Sequence, residues 1–91
     1  MHPAAVSVLI DLPAEHPYHR ATIDALRHAA AARKIPLDVR VVPTDSIRDP
    51  ALIAAAGSAV IVGPGSPYRD QEAVHAVVRE ARERKVPLVG T

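Results

Sequence analysis

One short segment carries the residue types that could bind a ligand through the backbone. Gly63-Pro64-Gly65-Ser66-Pro67-Tyr68, called here the glycine loop, follows a short apolar run and precedes a charged amphipathic segment. Its two glycines allow backbone N–H groups to point inward, and no Cβ blocks a close approach. Converging N–H groups bind anions or a developing oxyanion. We interpret Gly63, Gly65 and Ser66 as candidate ligand-binding residues; the alternative is a turn that needs Gly and Pro only for its geometry.

The sequence of the glycine loop excludes several other chemistries. No Gly-Lys-Ser/Thr follows it, so it is not a Walker loop, and it lacks the spacing of a dinucleotide fingerprint. Ser66 does not lie in a Gly-x-Ser-x-Gly nucleophile elbow. The chain has no cysteine, so these residues contain no thiol nucleophile, disulfide or thiolate metal ligand. We therefore predict no catalytic residue within the chain.

Four further polar residues lie where chemistry is conceivable. Asp11 ends the first apolar run, where a carboxylate could hold a metal or a ribose, or simply cap a loop. His16 and His19 are near it, but their spacing is a weak metal signal and a solvated helix start is the favoured interpretation. His75 is interpreted as a surface residue. The sequence thus predicts no metal and no cofactor.

Alternating apolar runs and amphipathic segments must position these residues. Short apolar runs predict strands at residues 6–11, 37–42, 59–62 and 88–90. The first helix is predicted to begin near Pro17, the second near Pro50, and the third to span residues 70–85. Asp49 is predicted as the N-cap of the second helix and Gly57 as its left-handed C-terminal residue. The charged alternation of residues 37–42 predicts an edge strand.

The order of these elements, βαβαβαβ with short crossovers, predicts the topology. A right-handed, doubly wound, flavodoxin-like α/β parallel sheet with strand order 2-1-3-4 is expected. Helix one should cover one face, and helices two and three the other. Ligands bind such sheets beyond the carboxyl ends of the strands, between strands one and three. The glycine loop should therefore lie beside Asp11.

Composition limits the partners that the chain could have. The hydrophobic share is 48%, but with two Tyr and no Phe or Trp the core is expected to be thin. A net charge of +1 gives no reason to expect nucleic acid or an acidic membrane surface as a partner. The sequence has no apolar run of transmembrane length and no signal-peptide layout. We therefore expect a cytoplasmic protein.

Three segments show a family resemblance. The Gly63-Pro64-Gly65-Ser66-Pro67 stretch resembles the Pro-Gly loop of class I glutamine amidotransferase domains. Residues 81–90 are similar to the run that precedes the nucleophile elbow in the glutaminase region of CTP synthases and their stand-alone relatives, and residues 19–26 to its first helix. The resemblance covers the front part of the family domain. We interpret residues 1–91 as the N-terminal part of a class I glutamine amidotransferase-like domain.

This resemblance implies roles for individual residues. Gly63 would donate an oxyanion-hole N–H, and Gly65 with Ser66 would line the pocket for glutamine or another small anionic ligand. In the family, a cysteine assisted by His and Glu hydrolyses glutamine for pyrimidine nucleotide synthesis, and the resemblance places none of the three in this chain. Ser66 and Pro67 depart from the Pro-Gly-Gly-Phe-Gly loop of true CTP synthases.

The resemblance also places the family's nucleophile directly after Thr91. We therefore expect an incomplete domain that is inactive alone. Because some stand-alone relatives resemble selenoproteins, we hypothesise that the gene continues through a UGA codon read as selenocysteine. The alternatives are a small flavodoxin-like anion-binding module without catalysis and a subunit completed by a separately encoded second half. A homodimer through strand four is a further expectation.

Overall fold

A computed structural model describes residues 4–65 and 67–90 of the protein. Its strands are β1 (Ala4–Leu9), β2 (Leu37–Val42), β3 (Ala59–Val62) and β4 (Leu88–Gly90). Its helices are α1 (Pro17–Ala32), α2 (Pro50–Ala55) and α3 (Gln71–Glu83), with a single 3-10 turn at Thr44–Ser46. The predicted βαβαβαβ order is confirmed. None of the helices in the described ranges combines the length and the apolar character needed to cross a bilayer.

The four strands form one parallel sheet in the order β2-β1-β3-β4. The predicted flavodoxin-like arrangement is therefore confirmed. In register, Val8 lies beside Val41 of β2 and Ile61 of β3, and Ile61 lies beside Val89 of β4. The edge position predicted for β2 is confirmed, and β4 forms the opposite edge. Since β1 and β3 are adjacent, the loops that follow them meet at the carboxyl edge of the sheet.

Each face of the sheet has its own apolar layer. On one face Leu9 and Val60 pack with Val74 and Val77 of α3, and Ile53 of α2 joins them. On the other, Val6, Val8 and Ile10 pack with two residues of α1, Ile23 and Leu26. Helix α1 thus covers one face and α2 with α3 the other, as predicted. The α1 layer is the thinner one, because His19 is the only described α1 residue that is buried.

Side chains cap the N-termini of the helices. Pro17 and Pro50 occupy first-turn positions, where their missing N–H has no partner to lose. The Asp49 carboxylate accepts from the N–H groups of Ala51 and Leu52, which confirms it as the N-cap of α2. The N-cap of α3 is Asp70, and α3 ends at Glu83 rather than at the predicted residue 85.

Gly57 does not end α2 in a left-handed conformation, so that prediction is wrong. Gly65 is the one described glycine with a positive φ, and the C-cap of α2 is Ala56 in the right-handed helical region. Gly57 is required for close packing, because a Cβ there would lie 2.4 Å from the carbonyl oxygen of Ala5. The adjacent Ser58 N–H donates to that same oxygen at 2.7 Å.

The left-handed helix ends are lysines. Lys34 (φ 55°) follows α1, and Lys85 (φ 57°) follows α3. After α1, the N–H of Ile35 donates to Ala30 O and that of Lys34 to Ala31 O, the two bonds of a Schellman motif. The same pair follows α3, from Val86 to Ala81 O and from Lys85 to Arg82 O.

The sequence of these two helix–strand junctions is nearly the same. Arg-Lys-Ile-Pro-Leu at residues 33–37 recurs as Arg-Lys-Val-Pro-Leu at residues 84–88. In each, the proline carbonyl accepts a bond from the neighbouring strand: Ala4 N–H donates to Pro36 O at 2.8 Å, and Val60 N–H to Pro87 O at 2.9 Å. The same sequence and hydrogen-bond pattern therefore precede both β2 and β4.

Candidate ligand-binding site at the carboxyl edge

The glycine loop leaves β3 at the carboxyl edge, next to the segment that leaves β1. Gly65 has a φ of 113°, a conformation that side chains rarely adopt. A Cβ at Gly65 would also lie 3.0 Å from Cγ of Leu12, which follows β1. Both observations show that this position needs glycine. Ser66 lies outside the described residues, and Gly65 N–H has no hydrogen-bond partner among those that the structure describes.

Gly63 is bonded on both sides of its backbone. Its N–H continues the sheet ladder by donating to Leu9 O at 2.8 Å, and its carbonyl accepts from the Tyr68 hydroxyl at 2.6 Å. A Cβ at Gly63 would lie 3.1 Å from Cβ of Ile10. Donation from Gly63 to a ligand would therefore require the bond to Leu9 to be exchanged. Among residues 4–65 and 67–90, Gly65 is the glycine of the loop whose N–H has no partner.

A network centred on Asp11 fixes the far end of the loop. Asp11 Oδ1 accepts from Thr44 N–H at 2.8 Å, and Oδ2 accepts from the Thr44 hydroxyl at 2.8 Å and from Arg69 N–H at 2.7 Å. Thr44 Oγ1 in turn accepts from Asp70 N–H at 2.9 Å. The Asp11 carboxylate thus joins the segments that follow β1, β2 and β3. It acts as a link between loops and presents little free acceptor capacity to a metal or ribose.

These contacts set the protonation of the two titratable groups beside the loop. Partial burial raises the pKa of Asp11, but the hydrogen bonds from Arg69 and Thr44 and the Arg69 charge outweigh it, so the pKa lies below its ordinary value of 3.8. Burial, and then the Asp11 charge, raise the pKa of Tyr68 above 10.0. At neutral pH Asp11 is therefore ionised and Tyr68 is a protonated donor.

The N-terminus of α3 is capped by a carboxylate from within the chain. Asp70 Oδ1 accepts from Ala73 N–H at 2.9 Å, and the carboxylate lies at the positive end of the helix dipole. Arg69, which precedes it, carries an exposed guanidinium that pairs with Asp45 at 3.7 Å. The Asp70 carboxylate thus places a negative charge at this helix terminus, which disfavours a ligand anion there.

The histidines do not converge on Asp11. His16 Nδ1 accepts from Tyr18 N–H at 3.1 Å and so caps α1. His19 is buried, whereas His75 is exposed and bonds Gln71 along α3 at 3.2 Å. In residues 4–65 and 67–90 no group of three or more His, Asp or Glu side chains is arranged to hold a metal ion.

A separate apolar groove of about 390 Å³ runs along α1. Its lining is Ala21, Thr22, Ala25, Leu26, Ala29 and Ile61. Its one polar side chain is that of Thr22, whose hydroxyl donates to Tyr18 O at 2.8 Å. This groove holds no group that would orient an anion, so the carboxyl edge is the better candidate site.

Sequence reasoning missed two members of the site, Thr44 and Arg69. Thr44 follows β2 by two positions and is fully buried, yet a single threonine in a loop resembles any turn residue. A usable signal was its place at the carboxyl end of the strand next to β1. Arg69 contributes its backbone N–H to Asp11, and no residue type predicts that.

Comparison with known proteins gives one relevant similarity. The chain is 31% identical over 74 residues to CTP synthase of Herpetosiphon aurantiacus, an alignment that includes 79% of this chain. The chain spans only about 14% of the length of that relative. No protein-family model matches the chain, and no solved structure matches it. A relationship to a region of CTP synthase is therefore supported.

Proposed function

We propose that this protein is a glutamine amidotransferase-like binding domain related to CTP synthase, and that its glycine loop binds glutamine. The observation that carries the proposal is Gly65, with its φ of 113°, its place against Leu12 where a Cβ would not fit freely, and its N–H without a partner among the described residues. An N–H held in this way can bind a carboxamide or carboxylate oxygen. The CTP synthase similarity supports glutamine as the first ligand to test.

The chain is proposed to bind glutamine without hydrolysing it. Glutamine hydrolysis through a thioester needs a thiolate, and the 91 residues contain no cysteine. The polar side chains beside the loop are engaged, with the Tyr68 hydroxyl on Gly63 O and the Asp11 carboxylate on Thr44 and Arg69. A role in pyrimidine nucleotide synthesis would therefore need a nucleophile from outside these residues.

The direct test compares two glycine variants for glutamine binding. Gly65→Ala places a Cβ against Leu12 in a strained conformation, whereas a Cβ at Gly90 meets nothing within 4 Å. We expect glutamine to shift the loop amide resonances of the wild type and of Gly90→Ala, but not those of Gly65→Ala. Ammonia release should stay at background for all three proteins.

Two results would contradict this proposal in different ways. Absence of any glutamine-dependent shift in the wild type would show that glutamine is not the ligand. Ammonia release that Gly65→Ala abolishes would show that the chain is catalytic. Circular dichroism of the same samples checks that each variant is folded, so that neither result can be attributed to unfolding.

A second candidate function is anion binding without relation to glutamine. The exposed Arg69 guanidinium lies in the same segment and favours a more highly charged ligand. Titration with inorganic phosphate separates the candidates. Shifts of the loop amides with phosphate but not with glutamine would favour an anion-binding module.

A further inference from the structure

We propose that Asp11 and Thr44 are positioning residues that hold the glycine loop in its ligand-binding conformation. Neither residue is assigned to contact the ligand. The inference deepens the proposed function and rests on it only where glutamine binding is measured. The geometry that supports it concerns only the protein.

The first support is the reach of the Asp11 carboxylate. Its partners Thr44 and Arg69 lie 33 and 58 positions further along the chain. Three hydrogen bonds to one ionised group are stronger than bonds between neutral groups. A single side chain thus joins the segments after β1, β2 and β3.

The second support is the fixed direction of the Thr44 hydroxyl. Because ionised Asp11 can only accept, the hydroxyl must donate its proton to Oδ2. Its oxygen lone pairs then face Asp70 N–H, the bond observed at 2.9 Å. Thr44 therefore transmits the position of Asp11 to the first residue before α3, and it does so from a fully buried site.

The third support is that the loop is held at both ends. Gly63 is bonded to Leu9 at one end, while Arg69 and Asp70 are bonded to Asp11 and Thr44 at the other. The chain between Gly63 and Arg69 is therefore fixed at both ends. Fixing both ends lowers the number of conformations available to the Gly65 N–H, and pre-organisation of this kind raises ligand affinity.

The effect of this network should be local. Helix α3 is held separately by Val74 and Val77 in the core and by its own Asp70 cap. Loss of the Thr44 hydroxyl bonds would release the Asp70 N–H directly and would loosen the Asp11 carboxylate that accepts from Arg69 N–H, without opening the sheet ladder. This locality distinguishes a positioning role from a general contribution to stability.

The experiment uses hydrogen exchange of single amides in the full chain. Thr44→Val keeps the shape of the side chain and removes both hydroxyl bonds, whereas Thr44→Ser retains the hydroxyl. Thr22→Val is the matched control, because the Thr22 hydroxyl bonds only within α1. We expect Thr44→Val to raise the exchange rate of the Asp70 amide about tenfold or more, the factor that corresponds to loss of a bond of ordinary strength. The Arg69 amide should exchange faster by a smaller factor, because its acceptor Asp11 loses only the bond from the Thr44 hydroxyl. Amides of β1 should not change.

Rescue and ligand binding complete the test. Thr44→Ser should return both amides to near wild-type exchange, and Thr22→Val should leave them unchanged. Thr44→Val should also weaken glutamine binding about tenfold. If the wild type binds no glutamine while the exchange pattern holds, the proposed function fails and the positioning role stands.

Two results would overturn the positioning role. One is an equal rise in exchange at β1 and at residues 69 and 70, which would mean a global effect. The other is no change at residues 69 and 70. Should Thr44→Val fail to fold, wild-type exchange decides: Arg69 and Asp70 must be protected and must open at lower denaturant than β1.

Discussion

Asp11 shows how one residue can change role between sequence and structure. As the acidic residue after the first apolar run it is a candidate ligand for a metal or ribose. In the fold its two oxygens accept three bonds from Thr44 and Arg69. The carboxylate therefore contributes to the arrangement of the carboxyl edge and to its dependence on pH.

That dependence has a definite sign. The pKa of Asp11 in the folded protein lies below its ordinary value of 3.8. Its stabilisation is thus complete above the unfolded-state pKa and is lost as the pH falls through the folded-state value. We expect Asp11→Asn to lower the free energy of unfolding at pH 7 by about 1–2 kcal/mol, since an amide cannot accept from all three donors. Between about pH 5 and 3 it should flatten the acid decline.

Urea unfolding at several pH values measures both effects. Asp24→Asn is the control, because the Asp24 side chain is exposed on α1 and makes no ion pair or hydrogen bond with a residue that the structure describes. It should leave the curve unchanged. A pH profile for Asp11→Asn that runs parallel to the wild type would contradict the assignment.

The lack of room for a side chain at Gly57, rather than its backbone conformation, gives a second stability prediction. Alanine there would place its Cβ 2.4 Å from Ala5 O, so the β1 backbone would have to move. We expect Gly57→Ala to cost about 1–3 kcal/mol, the usual range for overpacking. Gly90→Ala, which meets nothing within 4 Å, should stay within about 0.5 kcal/mol of wild type. Thermal unfolding separates the two; equal melting temperatures would contradict the packing argument.

At the scale of elements, the N-termini could be read from the sequence and the C-termini could not. Asp49-Pro50 has the residue types that helix starts need, and the structure confirms its role. Gly57 has the residue type of a helix end, but its place is set by contact with Ala5. Lys34 and Lys85 carry the left-handed ends without any preference of lysine for that conformation. Only the recurrence of Arg-Lys-x-Pro-Leu could have indicated them.

Glycine at the left-handed positions Lys34 and Lys85 should stabilise the protein. A residue with a Cβ destabilises the folded state by about 1–2 kcal/mol when it adopts the left-handed conformation. Glycine removes this strain, but its greater flexibility in the unfolded chain offsets part of the gain. We expect Lys34→Gly and Lys85→Gly each to raise the free energy of unfolding by about 0.5–1 kcal/mol. The double variant should show the sum, because the two sites are separate.

Lys34→Ala and Lys85→Ala are the matched controls. They remove the same charge and keep a Cβ in the strained region, so they should not stabilise. Chemical denaturation at fixed salt compares all four single variants. Stabilisation by alanine equal to that by glycine would attribute the effect to charge instead of to the backbone.

The whole molecule presents two unequal sheet edges. On β2, Asp38 and Arg40 form an exposed ion pair at 3.4 Å, and such charges protect an edge strand from pairing. β4 carries no charge; Val89 is 57% exposed and Gly90 has no side chain. The unprotected edge therefore lies beside Ile61 and the open part of the α1 face.

We predict weak, reversible dimerisation through β4. Pairing of three-residue strands buries far less than the roughly 1,200–2,000 Å² of a stable interface, so association should appear only at high concentration. Sedimentation at increasing concentration measures it. Val89→Lys should abolish it, whereas Val41→Lys, on the β2 edge and 45% exposed, should not. Equal loss in both variants would exclude β4 as the interface.

Topology was the most predictable property of the molecule, and the loop contacts were the least. Short β-branched runs such as Val60-Ile61-Val62 and the amphipathic pattern of α3 are enough to predict a parallel sheet in the order found. The link between Asp11 and Arg69 spans 58 positions and depends on the fold itself. For that reason the sequence predicted where the candidate site lies but not which residues hold it together.

The two helix–strand junctions bear on how this protein can vary in length. Pro36 and Pro87 each accept the bond that aligns a neighbouring strand. An inserted residue directly after Pro36 would slide β2 by one position relative to this bond, and a slip of one residue turns every side chain to the opposite face. Asp38 and Arg40 would then point at the α1 layer. Insertions and deletions among natural variants should therefore avoid residues 33–37 and 84–88 and accumulate in the exposed turn at residues 13–15.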